Sequence, residues 1–176
     1  MIVMNFLKLG NNINEIKIYT MQTIYDVKQH AYEIMELAHH GQCDKGGNAY
    51  FTHPFRVSKE VKNYFTWKHT EFDKFIAECV ALLHDVIEDS DITADDLVNE
   101  GFEHAIVNRV VRMTRKEGES YMDYIKRIGE DNICRLVKMC DLKDNMDITR
   151  LENVTDKDFD RLKKYHKAYK YLKSLE

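Results

Sequence analysis

The sequence predicts an all-α protein, and three features carry that prediction. Glycine and proline are scarce, 7 and 1 in 176 residues, so the turn signals that punctuate β architectures are largely missing. Apolar residues recur at three- and four-residue spacing in one segment after another, the period of a helix with one buried face. No internal repeat, low-complexity tract or linker interrupts these segments. The length suits a single domain with a real core and little more.

Residues 1–20 stand apart as an appendage. Leu7-Lys8-Leu9 and Ile16-Lys17-Ile18 flank Gly10-Asn11-Asn12, the pattern of a short N-terminal β-hairpin. The helical domain is expected over 21–176. From about Thr23 to His40, Ile24, Val27, Ala31, Ile34, Met35 and Ala38 fall on one helical face. Residues 41–52, with Gly41, Gly46, Gly47 and Asn48, read as a loop. Pro54 fits the first turn of a second helix running to about Tyr64. A third helix is expected from roughly Thr70 to Ile87. Thr93 is a plausible N-cap of a short helix, with Asp96 three residues on. Further helices are expected at about 102–114, 120–129, 131–147 and 156–174, with Gly118 breaking one junction.

Composition narrows the function classes. Hydrophobic residues make up 44% and charged residues 32%, ordinary for a soluble globular chain. The net charge of −4 offers no basic excess for nucleic acid or an anionic membrane, so neither is an expected partner. No apolar run approaches the ~18 residues of a membrane span, and no secretory signal is visible at the N-terminus. Cys43, Cys79, Cys134 and Cys140 lack C-x-x-C spacing and read as four reduced thiols in a cytoplasmic protein.

Two stretches carry chemistry. In residues 79–89 an apolar run, Val80 to Leu83, leads directly into His84 and Asp85, then Glu88 and Asp89. On a continuous helix His84 would lie over Glu88 and Asp85 over Asp89. Such a cluster is costly in an apolar helix unless a divalent metal balances it; imidazole with carboxylate suits Zn, Mn, Fe or Ni. The bland reading is a helix end with solvated acids. In the second stretch Leu136, Val137, Met139 and Cys140 precede Asp141, with Asn145 one turn on. That pattern fits equally a buried carboxylate with a partner or a helix turning to solvent.

Read together, these pieces resemble the HD superfamily of metal-dependent phosphohydrolases, closest to the hydrolase domain of the RelA/SpoT proteins and the small alarmone hydrolases. Ala38-His39-His40-Gly41-Gln42 through Lys45, Gly47, Tyr50, His53 and Pro54 matches the first block of that family. Leu82-Leu83-His84-Asp85 through Glu88 and Asp89 matches the second. Arg135 to Lys138 with Asp141 and Asn145 matches the third, and Arg161 to Tyr165 resembles the final helix. The resemblance implies a helical HD bundle in which His53, His84, Asp85 and Asp141 hold one divalent ion, Mn²⁺ above others. It implies that Glu88 and Asp89 orient and deprotonate the attacking water, Glu88 being preferred. Lys45, Tyr50, Asn145 and Tyr165 are the implied substrate contacts.

The chain departs from the family where the base is read. Asp44 stands where alarmone hydrolases carry a base-stacking arginine, Ala49 replaces a proline, and Leu142-Lys143, Asp147 and Ile148 also differ. Hydrolysis of a phosphate ester or anhydride therefore transfers better than the identity of the nucleotide. The expected activity is removal of the 3′-diphosphate of guanosine 3′,5′-bis(diphosphate). The alternatives are an HD phosphohydrolase acting on another nucleotide or a 3′-phosphorylated cofactor, and a non-catalytic nucleotide-binding module. Of the other histidines, His39 and His40 are expected at the surface or capping a helix. His30, His69, His104 and His166 are expected as ordinary surface residues. The oligomeric state is not set by the sequence.

Overall fold

The central element is α3 (Glu71–Leu83), and its sequence explains why. Every residue from Phe75 to Leu83 is buried, Glu78 included, so no face of this stretch is left for water. A helix apolar all round must be enclosed by its neighbours. In the computed structural model, which describes residues 24–65 and 70–176, α3 packs against α1 (Ile24–Ala38), α2 (Thr52–Tyr64), α6 (His104–Met113) and α8 (Asn132–Asn145). The single carboxylate in that stretch, Glu78, pairs with Lys28 of α1.

The remaining helices close the bundle. α4 (Val86–Asp89) and α5 (Ala94–Asn99) follow α3, α7 (Tyr121–Gly129) sits against α8, and α9 (Asp156–Lys173) packs across α7 and α8. A 3-10 turn, Ile148–Arg150, links α8 to α9. Among the described residues no strand is formed; the one bridge, Cys43 with Ala49, pinches the loop after α1. The expected N-terminal hairpin and His69 lie outside the described residues.

Start signals in the sequence act as their chemistry dictates. Thr70, Thr93 and Thr155 each form a reciprocal capping box with the aspartate three residues on. Asp131 caps α8 by accepting from Ile133 N and Cys134 N at 3.0 and 2.9 Å. Cys79, Cys134 and Cys140 are buried free thiols, whereas Cys43 is exposed. The expected helix 70–87 is not continuous. α3 ends at Leu83, and Asp85, at φ −102° and ψ −5°, opens α4. The main chain still turns in the helical sense, for Asp89 N donates to Asp85 O at 2.9 Å.

Candidate metal centre

Three helices distant in sequence bring four side chains to one point. α2 contributes His53 from its first turn, the α3–α4 junction contributes His84 and Asp85, and α8 contributes Asp141. His53, His84 and Asp141 are 3%, 1% and 3% exposed, so none of the three is solvated. The His84 Nδ1 edge faces Ala81 O at 2.8 Å, and His53 Nδ1 faces Asp144 Oδ2 at 2.7 Å. Both acceptors require a proton on Nδ1, which leaves each Nε2 a bare lone pair in the neutral ring. Neither Nε2 has a hydrogen-bond partner, although both are buried.

Those two nitrogens face the carboxylates. Asp141 Oδ1 lies 3.1 Å from His53 Nε2 and 3.8 Å from His84 Nε2. Asp85 Oδ2 lies 3.1 Å from His84 Nε2 and 3.7 Å from His53 Nε2. The donors of His53, His84 and Asp85 all fall within 4.8 Å of one another. Ligands about 2.1 Å from a shared centre are at most roughly 4.2 Å apart, so His53, His84 and Asp85 fit a single divalent ion with little adjustment, with Asp141 adjoining through the two imidazoles. The same two carboxylates have further partners. Tyr50 OH donates to Asp85 Oδ2 at 2.8 Å, Lys138 Nζ is 2.7 Å from Asp141 Oδ2, and Asn145 Nδ2 donates to Asp141 Oδ1 at 2.5 Å.

Electrostatics agree with a cation here. Burial pushes the His84 imidazole down, but Asp85 and Asp141 outweigh it and hold it up at about 10. His53 is raised against the same burial by the nearby carboxylates of Asp141 and Asp144. Burial drives Asp85 and Asp141 up, yet both are held below the usual carboxylate range, by His84 beside Asp85 and by Lys138 and His53 beside Asp141. Beyond Lys138, the carboxylates draw further positive charge, which protons on the imidazoles or a divalent ion can supply.

The other residues expected at the site flank this cluster. Lys45, Tyr50, Asn145 and Tyr165 line a cavity of about 330 Å³ that reaches His53 and also meets Asp44, Arg150 and Arg161. Glu88 lines a second cavity, about 210 Å³, together with Asp85, Asp141, Arg115, Lys138 and Lys164. Asn145 and Tyr165 border both cavities. Glu88 Oε2 accepts from Arg115 N at 3.2 Å. Burial raises the carboxyls of Glu88 and Asp89 above their ordinary values, with Asp85 adding to both.

Several residues were not expected. His39 is 1% exposed, not a surface residue: its Nδ1 meets Gln42 Oε1 at 2.9 Å and its ring lies 4.9 Å from that of Tyr50. His30 is partly covered, stacked 5.3 Å from Phe102 and 3.0 Å from Glu100. Asp144, Arg56 and Arg150 form an ion network around His53 that no motif announced. The available signal was the spacing of Asp144, three residues after Asp141 and so on a neighbouring face of α8. Asp44 is consumed by its own loop and by Arg150, accepting from Gly46 N and Asn48 N at 2.9 Å each, with Arg150 Nη1 at 3.3 Å.

No family model matches the chain. Among curated proteins it is 30% identical over 128 residues to a "Probable GTP pyrophosphokinase" of Mycobacterium leprae, covering 68% of this chain and 15% of that one. It is 29% identical over 126 residues to a "Guanosine-3′,5′-bis(diphosphate) 3′-pyrophosphohydrolase" of Aquifex aeolicus, covering 67% of this chain and 17% of that one. The chain thus spans about a sixth of the length of these curated relatives. Among solved structures it matches one described as "A metazoan ortholog of SpoT hydrolyzes ppGpp and plays a role in starvation responses". The TM-score is 0.63 at 20% identity, with 82% of this chain and 84% of the other covered. That likeness establishes a shared helical fold.

Proposed function

We propose that this chain, related through these matches to the RelA/SpoT branch of the HD hydrolases, is a metal-dependent phosphohydrolase of a nucleotide, removing the 3′-diphosphate of guanosine 3′,5′-bis(diphosphate). The unit carrying this activity is residues 21–176, with 1–20 appended, and it works in the cytoplasm with Mn²⁺. The observation that chiefly supports the reading is the pair of buried, unpartnered Nε2 atoms of His53 and His84 facing Asp85 and Asp141 beside two cavities. Among the described residues no helix is long and apolar enough to cross a membrane. The ion's name is supported by ligand type alone, since two imidazoles and two carboxylates suit several divalent metals.

His53, His84, Asp85 and Asp141 would hold the ion. When bound, it supplies Lewis acidity at a phosphoryl oxygen and lowers the pKa of water from about 15.7 toward ~7. Glu88, facing the smaller cavity, takes the proton from the attacking water, with Asp89 beside it; burial makes both better bases than a solvated carboxylate. Water oxygen joins phosphorus, the bond from phosphorus to the 3′ oxygen breaks, the proton taken up by Glu88 passes to that oxygen to give the 3′ hydroxyl, and pyrophosphate leaves. Lys45 neutralises phosphate, Asn145 donates to it or to the sugar, and Tyr50 and Tyr165 wall the larger cavity. With a net charge of −4, a small anionic substrate needs local help from a metal or a few cations.

A second reading has one specific observation behind it. Asp44, tied to Arg150, cannot stack on a base as an arginine would, which favours a nucleotide other than guanosine. A substrate panel with Mn²⁺ supplied separates the two. Pyrophosphate released from guanosine bis(diphosphate) supports the first reading, and phosphate released from other nucleotides the second. No turnover of any nucleotide with the ion bound would overturn both.

A further inference from the structure

We infer that Asp144 is a positioning residue for the candidate metal centre: its carboxylate fixes the tautomer and direction of His53. The inference rests on the reading that His53 is a ligand, and goes beyond it by naming what sets that ligand in place. Asp144 Oδ2 is 2.7 Å from His53 Nδ1, the edge opposite the bare Nε2. A charged acceptor there holds the proton on Nδ1 and keeps the Nε2 lone pair turned toward Asp85 and Asp141. A carboxylate behind a ligating imidazole also raises the basicity of the nitrogen that binds. His84 is oriented differently, by the neutral carbonyl of Ala81.

The carboxylate is itself fixed. Arg56 meets it with a two-pronged grip, Nε to Oδ1 at 2.7 Å and Nη2 to Oδ2 at 3.0 Å. Arg150 lies 3.1 Å from Oδ2, donates to the Asp144 main-chain carbonyl, and reaches Asp44 in the loop lining the larger cavity. Planar guanidinium forks define carboxylate orientation better than a flexible ammonium would. Two arginines on one acid would be surplus if Asp144 only balanced charge. Their combined effect is to aim its Oδ2 at His53.

The test is direct metal binding by the full chain, followed by the visible spectrum of Co²⁺ and by Mn²⁺ titration, for wild type, Asp144→Asn, Asp144→Ala, Asp144→Glu and Arg56→Met. Loss of such an outer partner typically weakens metal affinity 10–100-fold. We expect Asp144→Ala to weaken it at least tenfold and Asp144→Asn, which keeps an acceptor without charge, by a smaller factor. Asp144→Glu should recover part of the loss. Arg56→Met should stay within about threefold of wild type, because the bond from Asp144 to His53 survives it. All measurements are made well below each variant's unfolding midpoint. Wild-type affinity in folded Asp144→Asn and Asp144→Ala would overturn the inference while leaving the metal reading intact. Absence of Mn²⁺ and Co²⁺ binding by wild type would overturn both. A uniform drop for Arg56→Met and the Asp144 variants alike would reduce Asp144 to a structural anchor and overturn the inference as well.

Discussion

Glu88 lines the smaller cavity with Asp85 and Asp141. Its carboxylate accepts from Arg115 N and is pushed above its ordinary value first by burial, then by Asp85. A base must be deprotonated to act, so turnover should rise with pH through a midpoint above the ordinary 4.5 for that group. Glu88→Gln should lower kcat by about 10²–10⁴-fold and remove that acidic limb, with bound Mn²⁺ unchanged. Turnover of Glu88→Gln at the wild-type rate would transfer the base to Asp89. At this scale the sequence was informative where residue type alone limits the chemistry. Histidine and aspartate behind apolar runs have few reasons to be there. It was silent on Asp144, because an aspartate between Lys143 and Asn145 looks like any solvated residue until α2 is laid across α8. It misled at His39, which is buried with its ring beside that of Tyr50.

Helices were legible in proportion to how local their causes are. The Thr93–Asp96 cap was readable because both partners lie within four residues, and it formed as a reciprocal box. Thr93→Ala should cost about 1 kcal/mol in urea unfolding, since α5 then keeps orphan amides at its start. The same variant should leave Mn²⁺ affinity untouched, because Thr93 lies outside both cavities. The break between α3 and α4 was not readable, since helical periodicity runs unchanged through His84 and Asp85 and one altered backbone pair leaves no mark in it. The loop after α1 is constrained from outside itself: a Cβ on Gly46 would collide with the Arg150 main-chain carbonyl. Gly46→Ala should therefore displace the loop carrying Asp44 and Lys45. We expect a raised KM with metal affinity near wild type, read by steady-state kinetics alongside Mn²⁺ titration.

On the scale of the whole molecule, the candidate centre doubles as a cross-link between α2, the α3–α4 junction and α8, whose contributing residues run from position 53 to position 141. The all-α class and the enclosed run of α3 could be read from periodicity. Which helices meet could not, because the mutual packing of α2, α3 and α8 is decided by side-chain shape over long separations. That arrangement has a thermodynamic consequence. Ion-free, the cluster holds two carboxylates beside two imidazoles in a buried setting, stabilised by protons on the imidazoles and by Lys138. The raised His84 value means that this stabilisation is complete below the ordinary histidine value of 6.5 and is lost as pH rises through about 10. A divalent ion replaces those protons, so its affinity should increase with pH over the same window. At an ion concentration a hundredfold above Kd the fold should gain about 2.7 kcal/mol. For a chain of this size that raises Tm by roughly 5–11 °C. Calorimetry with Mn²⁺ and then with a chelator measures the difference directly. In His84→Ala the two scans should coincide, whereas a full Mn²⁺ shift in that variant would place the stabilising ion somewhere other than between these helices.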